Sequence, residues 1–318
     1  MTQRWSIFCD TNSISGKGHI SRMLVLAEKL KKKKKIVFIT SSLKNRFCKD
    51  ITNAGYNIYE IEKMKFKKNY MTIIDGYFFS KKHIDIVKNG SKFTLQILDY
   101  GSKFYKTNYI ISYDKLFKNP GIIGEGLRYS IINSNFENKK YIKKKPENLM
   151  INFGLFDKYN FTYKILKCLS LRNSLRFKKI FVACRNGAYK SYVFKSLVRK
   201  LGAKFVAKEF NEDFFKIVKL SDIIVGAGGV SLLERLCSGA PSITFCTSRN
   251  QKQLIEFASM NRATLYCGDY SNFSREKFLN SMSEIFFNYK LRRELSLNGQ
   301  KIIDGNGSNR LVDKLLSL

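Results

Sequence analysis

The residues best suited to bind an anion form a glycine-rich segment, Gly226–Gly229, between an apolar run and a stretch with helical spacing. The apolar run, Ile223–Val225, predicts a buried strand, and the leucines after Ser231 predict a helix. Glycines let a backbone approach a ligand closely, and a helix start presents free N–H groups and a positive dipole end. The pattern predicts a phosphate site, with Glu234 placed to accept hydrogen bonds from ribose hydroxyls. Taken alone, the segment also fits a tight turn with an exposed glutamate.

A second polar segment follows the next predicted strand. Gly239–Pro241 predicts the end of the helix and the start of strand Ser242–Cys246, after which come Asn250 and Gln251. Ligands of open α/β sheets bind at the carboxyl ends of the strands. We therefore expect Asn250 and Gln251 to belong to the same ligand site as the glycine segment.

The N-terminal loop Asp10–Arg22 carries one of only two histidines in the chain. Gly18 and His19 stand where this loop enters a predicted helix, whose positive end favours a neutral imidazole. A neutral imidazole is the form that a general base needs near pH 7. His19 is therefore a candidate base, with Asp10 placed to orient its ring or to position water. A capping or packed histidine is the alternative.

A third polar strand exit is Asp75-Gly76-Tyr77. The hydroxyl of Tyr77 could donate to a sugar or to a catalytic water. A turn aspartate beside a packed tyrosine is the alternative.

Short apolar runs alternate with amphipathic stretches along the whole chain, which predicts two doubly wound, parallel-sheet domains of Rossmann-like type. The polar, lysine-rich segment Asn138–Pro146 is the best linker candidate. We place an N-terminal domain at residues 1–140 and a C-terminal nucleotide-binding domain at residues 147–318.

The charge is strongly positive, with 58 Lys and Arg against 25 Asp and Glu, a net +33. Lysines are spread along the chain and Pro is rare, as A/T-rich codon usage would produce, so we interpret the charge as compositional. Attraction to an anionic membrane surface or an acidic ligand is a second interpretation. Nucleic-acid binding is a third, and we do not expect it.

Other features suggest a cytoplasmic protein. No apolar run approaches the length of about 20 residues that spans a bilayer, and no secretion signal is recognised. The seven cysteines are scattered, without a CxxC pair, which favours reduced core residues over disulfides or a zinc site.

Several motifs together resemble the UDP-sugar hydrolases of pseudaminic acid biosynthesis, the PseG/SpsG group, which are related to the MurG-type glycosyltransferases. The resemblance runs through most of the chain, in this order: Asp10–Arg22, Asp75–Tyr77, Leu127–Ile132, Phe153-Gly154, Gly226–Glu234, Gly239–Pro241, Asn250-Gln251 and Asp304–Arg310. It implies a GT-B-like fold, in which two Rossmann-like domains face a cleft.

The resemblance also implies an activity. These enzymes release UDP from a 2,4-diacetamido-2,4,6-trideoxyhexose by attack of water at the anomeric carbon, with inversion, in nonulosonic acid synthesis for surface glycans. It implies a UDP-sugar substrate and no cofactor or metal, and we expect a monomer. The roles implied are catalytic for His19, Asp10, Tyr77 and Asn250, and substrate-binding for Gly18, Arg22, Gly228, Gly229, Val230, Ser231, Glu234 and Gln251. Within the second group, Gly228, Gly229 and Ser231 would hold the diphosphate and Glu234 the ribose.

Three positions depart from the group's usual pattern. Phe8-Cys9 stands where an arginine usually precedes the loop aspartate, Leu155 where a second glycine is usual, and Tyr100 where a second aspartate follows Asp99. They leave open another UDP-linked amino sugar. A transferase that moves the sugar to an acceptor, which could be lipid-linked at a membrane surface, is the alternative function.

Overall fold

The computed structural model of the protein describes residues 4–12, 17–63, 69–137, 140–154, 156–172, 174–183, 192–208 and 214–318. Its strands are β1 Arg4–Cys9, β2 Lys35–Thr40, β3 Ile58–Glu60, β4 Asn69–Asp75, β5 Ser91–Leu98, β6 Tyr109–Ser112, β7 Ile122–Glu125, β8 Asn148–Asn152, β9 Lys179–Ala183, β10 Lys204–Lys208, β11 Ile223–Ala227, β12 Ser242–Cys246 and β13 Leu265–Asp269. Its helices are α1 Gly18–Leu30, α2 Cys48–Asn53, α3 Lys81–Asn89, α4 Phe161–Leu169, α5 Tyr192–Leu201, α6 Phe214–Leu220, α7 Val230–Ser238, α8 Lys252–Met260, α9 Arg275–Phe287, α10 Tyr289–Ile302 and α11 Gly307–Leu316.

The chain forms two compact units, each built on one parallel sheet. The first unit comprises Met1–Ser134 and Gly305–Leu318, and the second comprises Asn135–Asp304. The first sheet has the order β3-β2-β1-β4-β5-β6-β7, and the second has the order β10-β9-β8-β11-β12-β13. The predicted fold class of two doubly wound α/β domains is confirmed, and strand β12 has the predicted bounds.

Both sheets reverse their strand order next to their first strand. In the first unit the reversal lies between β1 and β4, and in the second it lies between β8 and β11. Such a switch point opens a crevice at the carboxyl ends of the two strands, where ligands of doubly wound sheets bind. The strands are rich in apolar residues because helices cover both faces of a parallel sheet, and every residue of β11 and β12 is buried.

The last helix belongs to the first unit, although the sequence predicts a second domain that continues to residue 318. Helix α11 packs against α1, where Nζ of Lys29 donates to Oδ1 of Asn309 over 2.6 Å. Nη1 of Arg310 donates to the carbonyl oxygen of Arg128 over 2.9 Å. Residues 127–132 and 305–310, from two motifs of the resemblance, therefore meet in this unit although they are far apart in the sequence.

Gly307 makes the closest approach in this contact. A Cβ at this position would overlap the backbone of Tyr129 and Ser130. We expect Gly307→Ala to destabilise the protein by about 1–3 kcal/mol, because overpacking forces a backbone shift. Chemical denaturation of the variant should show this loss, while Lys314→Ala, an exposed change on the same helix, should leave stability unchanged. Equal stability of the two variants would contradict the close fit.

The C-terminal part of the predicted linker is held to the second unit by hydrogen bonds. Arg292, which is 1% exposed, donates Nη1 to the carbonyl oxygens of Ile285 and Phe286 and Nη2 to those of Lys143 and Lys144. One guanidinium therefore joins the end of α9 to the segment that leads into β8.

Two further predictions concern the chain as a whole. Six of the seven cysteines are free and buried, as predicted for reduced core residues, and Cys184 lies outside the described residues. Within the described ranges, no helix is long and apolar enough to cross a bilayer.

Candidate functional site

The first unit places His19 against a buried carboxylate at its switch point. The ends of β1 and β4 are in register, with Cys9 opposite Asp75. The Nδ1 atom of His19, at the start of α1, lies 2.9 Å from Oδ1 of Asp75. The His19 residue is 3% exposed and Asp75 is fully buried. The predicted loop thus brings its histidine to an acidic partner on the neighbouring strand.

Arg22 holds this carboxylate from the other side. Nε of Arg22 donates to Oδ2 of Asp75 over 2.7 Å, and Nη2 donates to Oδ1 in a short contact. Nη1 donates to Oδ2 of Asp99 over 2.7 Å. Burial opposes ionisation of Asp75, but Arg22 and His19 more than offset it and lower its pKa to about 2. Asp75 is therefore an anion at neutral pH.

This contact determines which nitrogen of the neutral His19 ring carries the proton. An ionised carboxylate only accepts hydrogen bonds, so we assign the proton of the neutral ring to Nδ1, which donates to Asp75. Nη2 of Arg22 carries two protons; one is donated to Oδ1 of Asp75, and Nη2 also lies 3.0 Å from Nδ1 of His19. The lone pair of the neutral imidazole is then on Nε2, the nitrogen that a general base would use.

Asp75 thus takes the position at Nδ1 that the sequence offers to Asp10. Asp10 is buried at the end of β1, where its Oδ1 accepts from the backbone N–H of Asn12 over 2.9 Å. Its own backbone N–H donates to the carbonyl oxygen of Asp75 over 3.1 Å. A role for Asp10 at the reacting centre stays a prediction.

The other predicted residues of this half of the site differ in accessibility. Tyr77 is half-buried, and its ring contacts the ring of His19 edge-on, with 4.5 Å between the two centroids. The catalytic role predicted for Tyr77 stays a prediction. Gly18 is the first residue of α1. Arg22 is 3% exposed, and its guanidinium donates to Asp75 and Asp99; its predicted role in substrate binding stays a prediction. Residues 13–16 of the loop lie outside the described residues.

Two of the three positions that depart from the usual pattern of the resembled group also lie near this site. Phe8 is fully buried and stacks on Phe79 at 4.0 Å between ring centroids, so it belongs to the core of the unit. Tyr100 follows Asp99, the second partner of Arg22, and burial raises its pKa to about 12. Leu155, the third, lies outside the described residues.

The second unit places the glycine segment at its own switch point. Strand β11 ends at Ala227, Gly229 precedes the first turn of α7, and Val230 and Ser231 are the first two helical residues. The first N–H groups of a helix have no partner within it, and both residues are half-exposed. The predicted strand, glycine turn and helix are confirmed, and this is the arrangement that binds anions at a helix start.

The three glycines of this segment differ in how much space surrounds them. A Cβ at Gly226 would come within 2.6 Å of the carbonyl oxygen of Asn152, and one at Gly228 would overlap the side chain of Ile255. Packing therefore requires both. At Gly229 an added Cβ would meet only Nε2 of Gln251, at 3.6 Å. Gly229 is thus the position where a ligand has room to approach the backbone.

The side chain of Gln251 forms a hydrogen bond with this glycine turn. Its Oε1 accepts from the backbone N–H of Gly228 over 3.3 Å and from the N–H and hydroxyl of Thr247, both over 3.0 Å. The side chain thus ties the end of β12 to the glycine turn, as expected if the two strand exits form one site. Beside it, Oδ1 of Asn250 is buried and accepts no hydrogen bond from the described residues. A ligand N–H or O–H would satisfy this oxygen.

Glu234, one turn into α7, has a carboxyl group whose pKa lies well above the ordinary value. It is partly buried, and no hydrogen bond to it is found from the residues that the structure describes. Burial raises its pKa to about 8, against a smaller opposing effect of Arg235. A protonated carboxyl group avoids the cost of an unpaired buried charge.

The raised pKa of Glu234 predicts that the protein becomes less stable as pH rises. In the unfolded chain Glu234 loses its proton near its ordinary pKa of 4.5, whereas in the fold it keeps the proton up to about pH 8. The free energy of unfolding therefore falls as pH rises through that window. We expect Glu234→Gln, which cannot ionise, to gain melting temperature over the wild type between pH 5 and 8. A difference that does not change with pH would contradict the raised pKa.

Comparisons with known proteins find a distant similarity in sequence and a close similarity in fold. The chain is 24% identical to the spore coat polysaccharide biosynthesis protein SpsG of Bacillus subtilis strain 168, over 98% of this chain and 97% of that protein. No family model matches the chain. The crystal structure of MurG from Acinetobacter baumannii superposes with a TM-score of 0.77 at 14% identity, over the whole of both chains. A UDP-glucosyltransferase from Polygonum tinctorium superposes with a TM-score of 0.67 at 10% identity, over 98% of each chain.

The chain has a GT-B-like fold. Within this GT-B-like chain, each unit carries its candidate residues at its own switch point. Among the described residues, no group of three or more His, Cys, Asp or Glu side chains could hold a metal ion.

Sequence reasoning missed two residues beside these candidate groups, one in each unit. Asp75 was visible as an acidic strand exit, but its pairing with His19 depends on β1 and β4 being neighbours in the sheet. Arg235 follows Glu234 within an apolar helix and gives no signal in the sequence, yet it lies 3.0 Å from the place of a Cβ on Gly226.

Proposed function

We propose that the protein is a UDP-sugar hydrolase. The substrate would be a UDP-2,4-diacetamido-2,4,6-trideoxyhexose, and the product sugar would serve nonulosonic acid synthesis. The observation that carries the proposal is the His19–Asp75 pair, in which a buried anion holds one ring nitrogen and leaves the other as a base. The motif resemblance and the similarity to SpsG, named for polysaccharide biosynthesis, support the substrate class.

In the proposed reaction, His19 Nε2 takes a proton from water as the water oxygen bonds to the anomeric carbon. The bond between that carbon and the diphosphate oxygen breaks, and UDP leaves with the electron pair, so the configuration inverts. Asp75 stabilises the imidazolium that forms. The group that departs gains negative charge, which N–H donors and the dipole at the start of α7 would stabilise without rearranging.

The second unit would hold the nucleotide part of the substrate. Gly229, Val230 and Ser231 offer the diphosphate a helix start with room above it. Glu234 would accept hydrogen bonds from the ribose, and Asn250 would contact substrate near the leaving group through its unpaired oxygen.

The proposal is tested by incubating the protein with UDP-2,4-diacetamido-2,4,6-trideoxy-β-L-altrose, without an acceptor, and following the products by NMR. UDP release with inversion at the anomeric carbon is expected. Release only after a sugar acceptor is added would instead establish the transferase. A folded protein that binds no UDP would overturn both functions.

The ribose contact gives a separate prediction. Above pH 8, where the Glu234 carboxyl group is ionised, Glu234→Ala should weaken UDP binding by about 1.5–3 kcal/mol, the range of a hydrogen bond to a charged group. Isothermal titration calorimetry measures this loss. Glu256→Ala, a change on α8 at a side chain that is 45% exposed, is the matched control and should bind UDP as the wild type does. Unchanged affinity of Glu234→Ala would remove Glu234 from the site.

A further inference from the structure

A guanidinium group is buried directly behind the glycine turn of the second unit. Arg235 is 1% exposed, and its Nη1 lies 3.0 Å from where a Cβ on Gly226 would stand. No carboxylate forms a salt bridge with it among the described residues. Buried charges in proteins are normally paired, because an unpaired one costs several kcal/mol.

The partners of Arg235 are neutral. Nη2 donates to the carbonyl oxygen of Ala227 over 2.9 Å and to Oγ1 of Thr244 over 3.1 Å, and Nη1 donates to Oγ of Ser231 over 3.3 Å. Nε has no partner in the described part of the chain. Burial lowers the pKa of Arg235 to about 9, partly offset by Glu234, so the group is still a cation at neutral pH.

These bonds fix the direction in which the Ser231 hydroxyl donates. An arginine only donates, so the oxygen of Ser231 is the acceptor in their bond and its proton is available elsewhere. Ser231 is half-exposed in the first turn of α7, so its hydroxyl proton can be donated to a ligand outside the helix.

We propose that Arg235 is a positioning residue for the diphosphate site. It turns the Ser231 hydroxyl into a donor toward the anion, and it supplies from behind the turn a fixed positive charge that the bound diphosphate neutralises. This inference rests on the proposed function for the identity of the anion. It explains why a cation is buried among neutral partners at this place.

The test compares a charged and an uncharged ligand of the same site. Binding of UDP, inorganic pyrophosphate and uridine is measured by calorimetry on the wild type, Arg235→Met, Arg235→Lys and Ser231→Ala. Arg235→Met keeps a similar volume without the charge, and such replacements of buried ions often fold well. We expect it to lose about 10- to 100-fold in affinity for UDP and pyrophosphate, with uridine unaffected. Arg235→Lys should recover most of the loss.

A double-mutant cycle tests the role of Ser231. Ser231→Ala should weaken UDP binding in the wild type and have little effect in Arg235→Met, because the hydroxyl is no longer directed outward. Additive effects of the two changes would overturn the link between the residues. An equal loss of UDP and uridine binding in Arg235→Met, or unchanged UDP affinity, would show that Arg235 only supports the fold.

The same data separate this inference from the proposed function. If the wild type binds pyrophosphate but not UDP, the nucleotide assignment fails, while a loss of pyrophosphate binding in Arg235→Met still supports the role of Arg235. If the wild type binds UDP and Arg235→Met binds it equally well, only the inference about Arg235 fails. Binding of neither ligand by the folded wild type overturns both.

Discussion

His19→Ala is expected to lower kcat for UDP release by about 10²- to 10⁴-fold, the usual contribution of a positioned general base. The variant loses the Nε2 lone pair that would accept the proton of the attacking water. Binding of UDP should be unchanged, because the groups proposed to hold the nucleotide belong to the second unit. Single-turnover kinetics and calorimetry on the same preparation measure the two quantities.

His83→Ala is the matched control for this change. His83 is the only other histidine of the chain; it lies on α3, and its Nε2 atom is 3.8 Å from a carboxylate oxygen of Glu62. Its removal should leave kcat at the wild-type value. Normal turnover by His19→Ala would show that another group activates the water.

Asp75→Asn should reduce kcat by a similar factor, roughly 10²- to 10⁴-fold, although His19 is still present. The side-chain amide of asparagine can donate to Nδ1, which would place the ring proton on Nε2 and remove the base. Loss of the carboxylate also takes away the charge that stabilises the imidazolium. NMR of the ¹⁵N-labelled imidazole should show the exchange of tautomers directly, which a simple loss of folding would not produce.

Asp99→Asn separates this effect from the general loss of a buried anion. Asp99 accepts from Nη1 of Arg22 and from the hydroxyl of Ser102, and among the described residues no hydrogen bond joins it to the His19 ring. Its variant should keep the Nδ1 tautomer and lose far less activity. Equal losses in the two variants would show that Arg22, and not the tautomer, decides the rate.

Hydrophobic periodicity was sufficient to predict the fold class, because strands buried on both faces and amphipathic helices leave clear patterns in the sequence. Strand β12 and the turn from β11 to α7 follow from local signals, an apolar run and glycines at its ends. His19 was a candidate because of its place at a helix start. These features depend on residues close together in the chain.

The partners of these residues could not be predicted, because they depend on which strands and helices become neighbours. Asp75 reaches His19 only because β1 and β4 adjoin in the sheet. Gly228 is required by Ile255, a residue of α8, so a glycine that suggests ligand approach is explained by packing. The position of α11 depends on a close fit between Gly307 and Ser130, which leaves no periodic signal.

The assignment of α11 to the first unit has a consequence for the order of folding during synthesis. The second unit is an insertion within the first, so the ribosome makes all of it before the residues that complete the N-terminal unit. Domains made early usually fold early, but the packing of α11 on α1, the helix that carries His19, can form only after residues 305–318 have been synthesised.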